Sequence, residues 1–114
     1  MKAPTSVSKI FYEDTGKIGS LCFIECQEDK FCLVKVNWGA PEDYERNRDG
    51  EVELIWGVRE EALARLKKIC NNSKTPDDVV RYLYERFIPY NRSADHELLK
   101  WFDKKEIAYV FLEY

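Results

Sequence analysis

Residues 18–38, IGSLCFIECQEDKFCLVKVNW, constrain the fold of this chain more than any other stretch. Two runs rich in β-branched and aromatic residues flank the polar tetrapeptide Gln27-Glu28-Asp29-Lys30, the pattern of an antiparallel hairpin. The hairpin holds three of the four cysteines, and the sheet is expected to be built on it. A three-residue loop, Glu28 to Lys30, sets Cys26 opposite Cys32, Ile24 opposite Val34 and Cys22 opposite Val36. That register puts Cys22, Ile24, Cys26, Cys32, Val34, Val36 and Trp38 on one face. Leu21, Phe23, Phe31 and Leu33 share the other with Glu25 and Lys35. Both faces are largely apolar, which implies strands covered on both sides.

The chain before the hairpin offers little to pack over residues 1–5, expected to be loose, and then a short strand from Val7 to Tyr12. Glu13-Asp14-Thr15-Gly16 is read as the next turn, with Gly16 supplying a positive φ. After Trp38, Gly39-Ala40-Pro41 ends the strand, and EDYERNRDG (42–50) reads as a polar loop. Glu51 to Trp56 alternates as a half-exposed fourth strand with Val52, Leu54 and Trp56 inward.

From Val58 the period becomes helical, with Val58, Ala62, Leu66, Ile69 and Cys70 on one stripe and Asn71-Asn72 as the stop. Thr75-Pro76-Asp77-Asp78 is a helix start: a hydroxyl to cap the first turn, proline at the first helical position and acids at the dipole's positive end. That helix is expected to run to Ile88, burying Val79, Val80, Leu83, Tyr84 and Phe87, and a third, capped by Ser93, carries Leu98, Leu99, Trp101 and Phe102. Ile107 to Leu112 is apolar on both faces and is assigned to the interior of the sheet, beside the hairpin. The expected fold is a single α+β domain over residues 1–114, β-β-β-β-α-α-α-β: a mostly antiparallel sheet of about five strands with three helices packed on one face.

Composition bounds the function. The 114 residues are 45% apolar, enough to bury roughly two-thirds of the unfolded surface without cross-links. The formal charge is −3, divided as −4 over residues 1–57 (7 basic, 11 acidic) and +1 over 58–114 (11 basic, 10 acidic). Neither half is a polybasic arm. MKAPTSVSK lacks the apolar core of a signal peptide and no run approaches a membrane span, so a soluble, cytoplasmic protein with reduced thiols is expected.

Chemistry has few candidates. On an extended strand Cys22 and Cys26 lie about 13 Å apart, too far to share one metal ion. His96, the only histidine, falls in a helix's first turn without a second group to orient it, and the five glycines match no phosphate loop. The reading is therefore non-enzymatic, with no metal and no cofactor.

The segment between Trp38 and Trp56 is different. Glu42, Asp43, Tyr44, Glu45, Asp49, Glu51 and Glu53, together with Trp38, form an acidic and aromatic surface suited to a protein partner with a basic face. Inhibitors such as immunity proteins and phage-encoded antagonists of defence enzymes share this general character, though no motif links them to this chain. The alternative is nucleic-acid association through Arg59, Arg65, Lys67, Lys68, Arg81, Arg86 and Arg92, with Phe23 and Phe31 stacking bases on an open sheet face. Nothing in the sequence assigns an oligomeric state.

Overall fold

A computed structural model describes residues 6–114; the expectation for residues 1–5 lies outside that range. Five strands, β1 (Val7–Glu13), β2 (Gly19–Cys26), β3 (Phe31–Trp38), β4 (Glu51–Val58) and β5 (Val110–Glu113), form one antiparallel sheet in the order β1-β2-β3-β4-β5. A short helix, α1 (Pro41–Arg46), joins β3 to β4. The helices α2 (Glu60–Ile69), α3 (Pro76–Phe87) and α4 (Ala94–Lys104) fill the excursion between β4 and β5, with a 3₁₀ turn, Ile88–Ser93, linking the last two. The architecture is α+β, as expected, with α1 as an addition.

The hairpin register differs from the expected one by a single step. The loop spans four residues, closed by Gln27 N–H donating to the Lys30 carbonyl at 2.8 Å, so Cys26 pairs with Phe31, Ile24 with Leu33 and Cys22 with Lys35. One step inverts β3 with respect to β2. Cys22, Ile24, Cys26, Phe31 and Leu33 are all 0% exposed and form the sheet's contribution to the core. Cys32, Val34 and Val36 join Leu21 and Phe23 on the opposite face. Phe23 and Phe31 therefore lie on different faces.

The helices cover only the first of these faces. The core cluster unites Phe31 and Leu33 with Leu63 and Leu66 of α2, Val79, Val80 and Leu83 of α3, and Leu98 and Phe102 of α4, and it contains no side chain from the second face. Phe31 meets Phe102 edge-on at 5.9 Å, and Phe11 stacks on Tyr84 at 6.0 Å. Phe11 reaches inward because a bulge between Ile10 and Tyr12 turns two successive residues toward the helices. The expectation that both faces of the hairpin are covered is thus corrected: among the described residues, the helix-side core does not extend to the second face.

Helix boundaries follow local chemistry. Thr75 Oγ1 accepts from Asp78 N–H at 3.2 Å, and Asn71 and Asn72 take the left-handed conformation (φ 58° and 57°) that ends α2. Ser93 does not cap α4. Its hydroxyl donates backward to the Tyr90 carbonyl at 3.0 Å. Gly16 does not supply the positive φ expected of it; Gly39 (φ 83°) and Gly50 (φ 70°) do, bracketing the α1 connection, where Gly39 N–H donates to Gly50 O at 2.9 Å.

The last strand also departs from expectation. β2 and β3 already have β1 and β4 as outer neighbours, so no position beside the hairpin is left. The returning chain adds at the rim instead: Ile107 is buried ahead of the strand, and all four residues of β5 are exposed.

The register makes a testable division. Leu33→Ala removes a fully buried side chain and is expected to cost about 2–5 kcal/mol in urea unfolding. Val36→Ala, three residues on and on the uncovered face, is expected to cost no more than about 1 kcal/mol. The expected, slipped register would reverse that order.

Candidate surface on the open sheet face

Cross-strand pairing lays the uncovered face out in rows. Ile10, Phe23, Val34, Ile55 and Leu112 face one another in sequence across all five strands, a continuous apolar row from edge to edge. On one side of it lie Glu13, Leu21, Val36 and Glu53; on the other lie Ser8, Glu25, Cys32, Gly57 and Val110. A last short row, Gly19, Trp38 and Glu51, closes the face at the α1 end. Val34, in the centre, is 5% exposed because its neighbours shield it, whereas Ile10 (49%) and Leu112 (46%) stand open at the two ends.

Charge on this face has one sign. Glu13, Glu25, Glu51 and Glu53 border the apolar rows, and among the described strand residues no lysine or arginine shares the face. The strand lysines point the other way: Lys9 lies over the Tyr84 ring, 5.6 Å from its centroid, and Lys35 reaches Asp95 of α4 at 3.5 Å. The result is an apolar platform with an anionic rim.

The residues singled out from the sequence divide between two places. Trp38, Glu51 and Glu53 belong to the platform. Trp38 is held there by its own geometry: the indole Nε1–H donates to the Gly16 carbonyl at 2.8 Å, and the ring lies so close over Gly19 that a Cβ there would sit 2.6 Å from Cζ2.

Glu42, Asp43, Tyr44 and Glu45 instead lie on α1, toward the covered side, where Arg46 reaches Glu113 at 2.6 Å. Asp43 is buried, its Oδ2 accepting from Ala40 N–H at 3.1 Å, and it stabilises the start of α1. Tyr44 packs its ring against Gly50, where a Cβ would come within 2.5 Å. Asp49 lies in the turn before β4, its N–H donating to Asn47 Oδ1 at 3.3 Å.

Glu13 and Glu25, which complete the rim, were not among the candidates. Their parity along the strands would have found them only with the register known.

Of the residues proposed for nucleic acid, Phe23 and Phe31 do not share an open face. Phe31 is in the core, and Phe23 is bordered by carboxylates that oppose a phosphate backbone. Several helix cations are engaged within the chain: Arg65 donates to the Lys105 carbonyl at 3.1 and 3.0 Å, Arg81 pairs with Asp77 at 2.5 Å, Arg92 pairs with Asp14, and Arg86 lies over Phe87 and Trp101.

All four cysteines are free thiols. Cys26 and Cys32 occupy opposite faces, and among the described residues no three histidine, cysteine or carboxylate side chains converge as a metal site. Burial pushes Cys22 and Cys70 up to about 12 and Cys26 and Cys32 up to about 11, from an ordinary 9.0. The Glu25 carboxylate adds to the shift at Cys32. At neutral pH these groups are protonated and behave as small apolar side chains. Comparison with known protein families, characterised proteins and solved structures finds no match to this chain.

Cys32 offers a readout of the platform. In the folded protein a small maleimide is expected to label Cys32 before Cys22, Cys26 and Cys70, which react once denaturant is added. Only the thiolate reacts, and a raised pKa depletes it below that pKa. The Cys32 rate should therefore keep climbing from pH 7 to about pH 10, whereas an unshifted thiol levels off near 9. Equal labelling of all four thiols in the native state would contradict the assigned faces.

Proposed function

We propose that this chain is a non-enzymatic protein-binding module that receives its partner on the open sheet face. The observation that carries the reading is the apolar row Ile10–Phe23–Val34–Ile55–Leu112 set within four glutamates and, among the described strand residues, no cation. Apolar side chains side by side across five strands remain wet unless another surface covers them, and contiguous patches of that kind mark interaction sites. The rim specifies the chemistry of the partner: an apolar centre bordered by lysine or arginine. Such charges raise the rate of encounter and reject acidic surfaces, while central burial supplies the affinity.

This sharpens the expectation of a basic protein partner and moves its footprint. Trp38, Glu51 and Glu53 remain in it, Glu13 and Glu25 enter it, and Glu42, Asp43, Tyr44, Glu45 and Asp49 leave it. The inhibitor role, of the immunity-protein or anti-defence kind, rests on this anionic platform and on a mild net charge of −3. We place the module in a reducing, cytoplasmic setting because its four thiols are unpaired. Among the described residues no helix is long and apolar enough to cross a membrane.

Capture from host lysate tests the reading through its variants. Phe23→Lys and Ile55→Lys, each replacing a half-buried side chain on the platform, are expected to lower recovery of a basic partner at least tenfold with circular dichroism unchanged. Glu42→Ala with Glu45→Ala on α1 should leave recovery as it was. Raising salt from about 50 to 500 mM should slow association several-fold, because the rim charges, exposed at Glu13 and Glu51 and half-buried at Glu25 and Glu53, are screened. Full recovery with Phe23→Lys, or a partner lost only with the α1 variants, would return the site to the acidic helix.

A further inference from the structure

The sheet has two edges, and they are built differently. β1 carries Lys9 and the bulge at Phe11, and Arg92 of the 3₁₀ turn reaches Asp14 just beyond its end. Charge, bulges and covering segments are the means by which edge strands avoid further pairing. Among the described residues β5 has a single charge, Glu113, paired with Arg46 of α1 at 2.6 Å, and no bulge. Its sequence, Val-Phe-Leu-Glu, contains no lysine, no proline and no bulge. Val110 (41%), Phe111 (49%) and Leu112 (46%) are among the most exposed large apolar residues described, with Tyr114 (63%) directly after.

The hydrogen bonds fix which backbone groups this edge presents. Tyr114 N–H donates to Glu53 O at 2.8 Å, and Glu53 N–H donates to Tyr114 O at 3.0 Å. By antiparallel alternation Leu112 and Val110 also turn their amides and carbonyls toward β4, while those of Phe111 and Glu113 point away from the sheet.

We propose that this edge pairs with the β5 edge of a second copy, antiparallel and related by a two-fold axis through Phe111. A strand paired antiparallel with its own copy makes a closed, self-complementary contact. Centred on Phe111, the pairing joins the two phenylalanines as a mutually hydrogen-bonded pair, sets each Val110 against Leu112 of the second copy and each Glu113 against Tyr109. No like charges meet.

Competing registers are worse. Centring on Glu113, the other outward-facing residue, opposes two carboxylates, and centring on Leu112 sets each Phe111 against Glu113 of the second copy. The chosen register also extends an existing contact. Phe111 lies 5.2 Å from Trp56, so the pair continues an aromatic ladder from one copy's β4 to the other's. Stacking the open faces on each other is disfavoured, since each would bring four glutamates against four more.

The axis of an antiparallel pair stands perpendicular to the sheet. Both copies therefore put their helices on one side and their open faces on the other. The dimer is a ten-stranded platform in which the apolar rows meet at Leu112 and Val110. A four-residue edge buries well under the roughly 1,200 Å² of a stable interface, which makes the dimer concentration-dependent.

Sedimentation equilibrium from micromolar to millimolar protein tests this. The wild-type mass is expected to rise from one chain toward two. Phe111→Lys, which sets ammonium against ammonium on the axis, should stay monomeric throughout. Glu113→Pro should also stay monomeric; it removes an outward N–H that the fold does not use, together with the exposed pair to Arg46, and leaves the Trp56 contact that Phe111→Lys loosens. Phe23→Lys on the open face should dimerise like the wild type, which separates this contact from partner binding. A wild type that remains one chain at millimolar concentration overturns the proposal. So does a dimer abolished by Phe23→Lys but untouched by the two β5 variants.

Discussion

The four-residue turn between β2 and β3 is the constraint on which the rest of the structure depends. Gln27 N–H to Lys30 O, at 2.8 Å, closes the hairpin one residue wider than a three-residue loop would. That single step decides that Phe31 and Leu33, rather than Cys32 and Val34, join Cys22, Ile24 and Cys26 under the helices. Once Phe31 is inward, Phe102 has an edge to pack on, and Lys35 emerges beneath Asp95. Everything on the open face is then the complement of that choice.

Sequence patterning identifies the hairpin but leaves its register open, for a physical reason. Register is strongly specified where one face is apolar and the other polar, and β3, FCLVKVNW, is apolar at both parities over most of its length. The helices were legible because their signals are local: the Thr75 cap, the Pro76 start and the left-handed Asn71-Asn72 stop need no knowledge of the fold. The short α1 carries signals of the same kind in Pro41, in Glu42 and Asp43 in its first turn, and in Arg46 in its last. It passes for a loop in the sequence because nothing in it repeats at helical spacing. The position of β5 is not legible in the same way, because an apolar run does not say whether it is inside a sheet or at its rim. The meander decides that, by occupying both sides of the hairpin before β5 arrives.

The open face combines two properties that normally conflict. A five-strand apolar row invites association with any similar surface, including another copy. The four rim glutamates restrict that tendency without removing the apolar centre: they leave burial available to a cationic partner and oppose stacking of like on like. The same logic distinguishes the two edges. Lys9 and the Phe11 bulge guard β1, whereas β5 has neither, so the two proposed routes to association use different surfaces and are expected to respond to different substitutions.

The charge asymmetry is invisible in totals. A chain of 18 basic and 21 acidic residues looks nearly balanced, and its acids look concentrated between residues 42 and 53. Folding redistributes them. Asp43 goes to a helix start, and Glu42 and Glu45 go to α1. Glu51 and Glu53 meet Glu13 and Glu25, which come from strands far earlier in the chain. Lys9 of β1 and Lys35 of β3 leave the sheet by the other face. A nearly neutral sequence thus yields one surface of a single sign through strand parity alone. Changing a strand's parity, more than changing its composition, would abolish that surface.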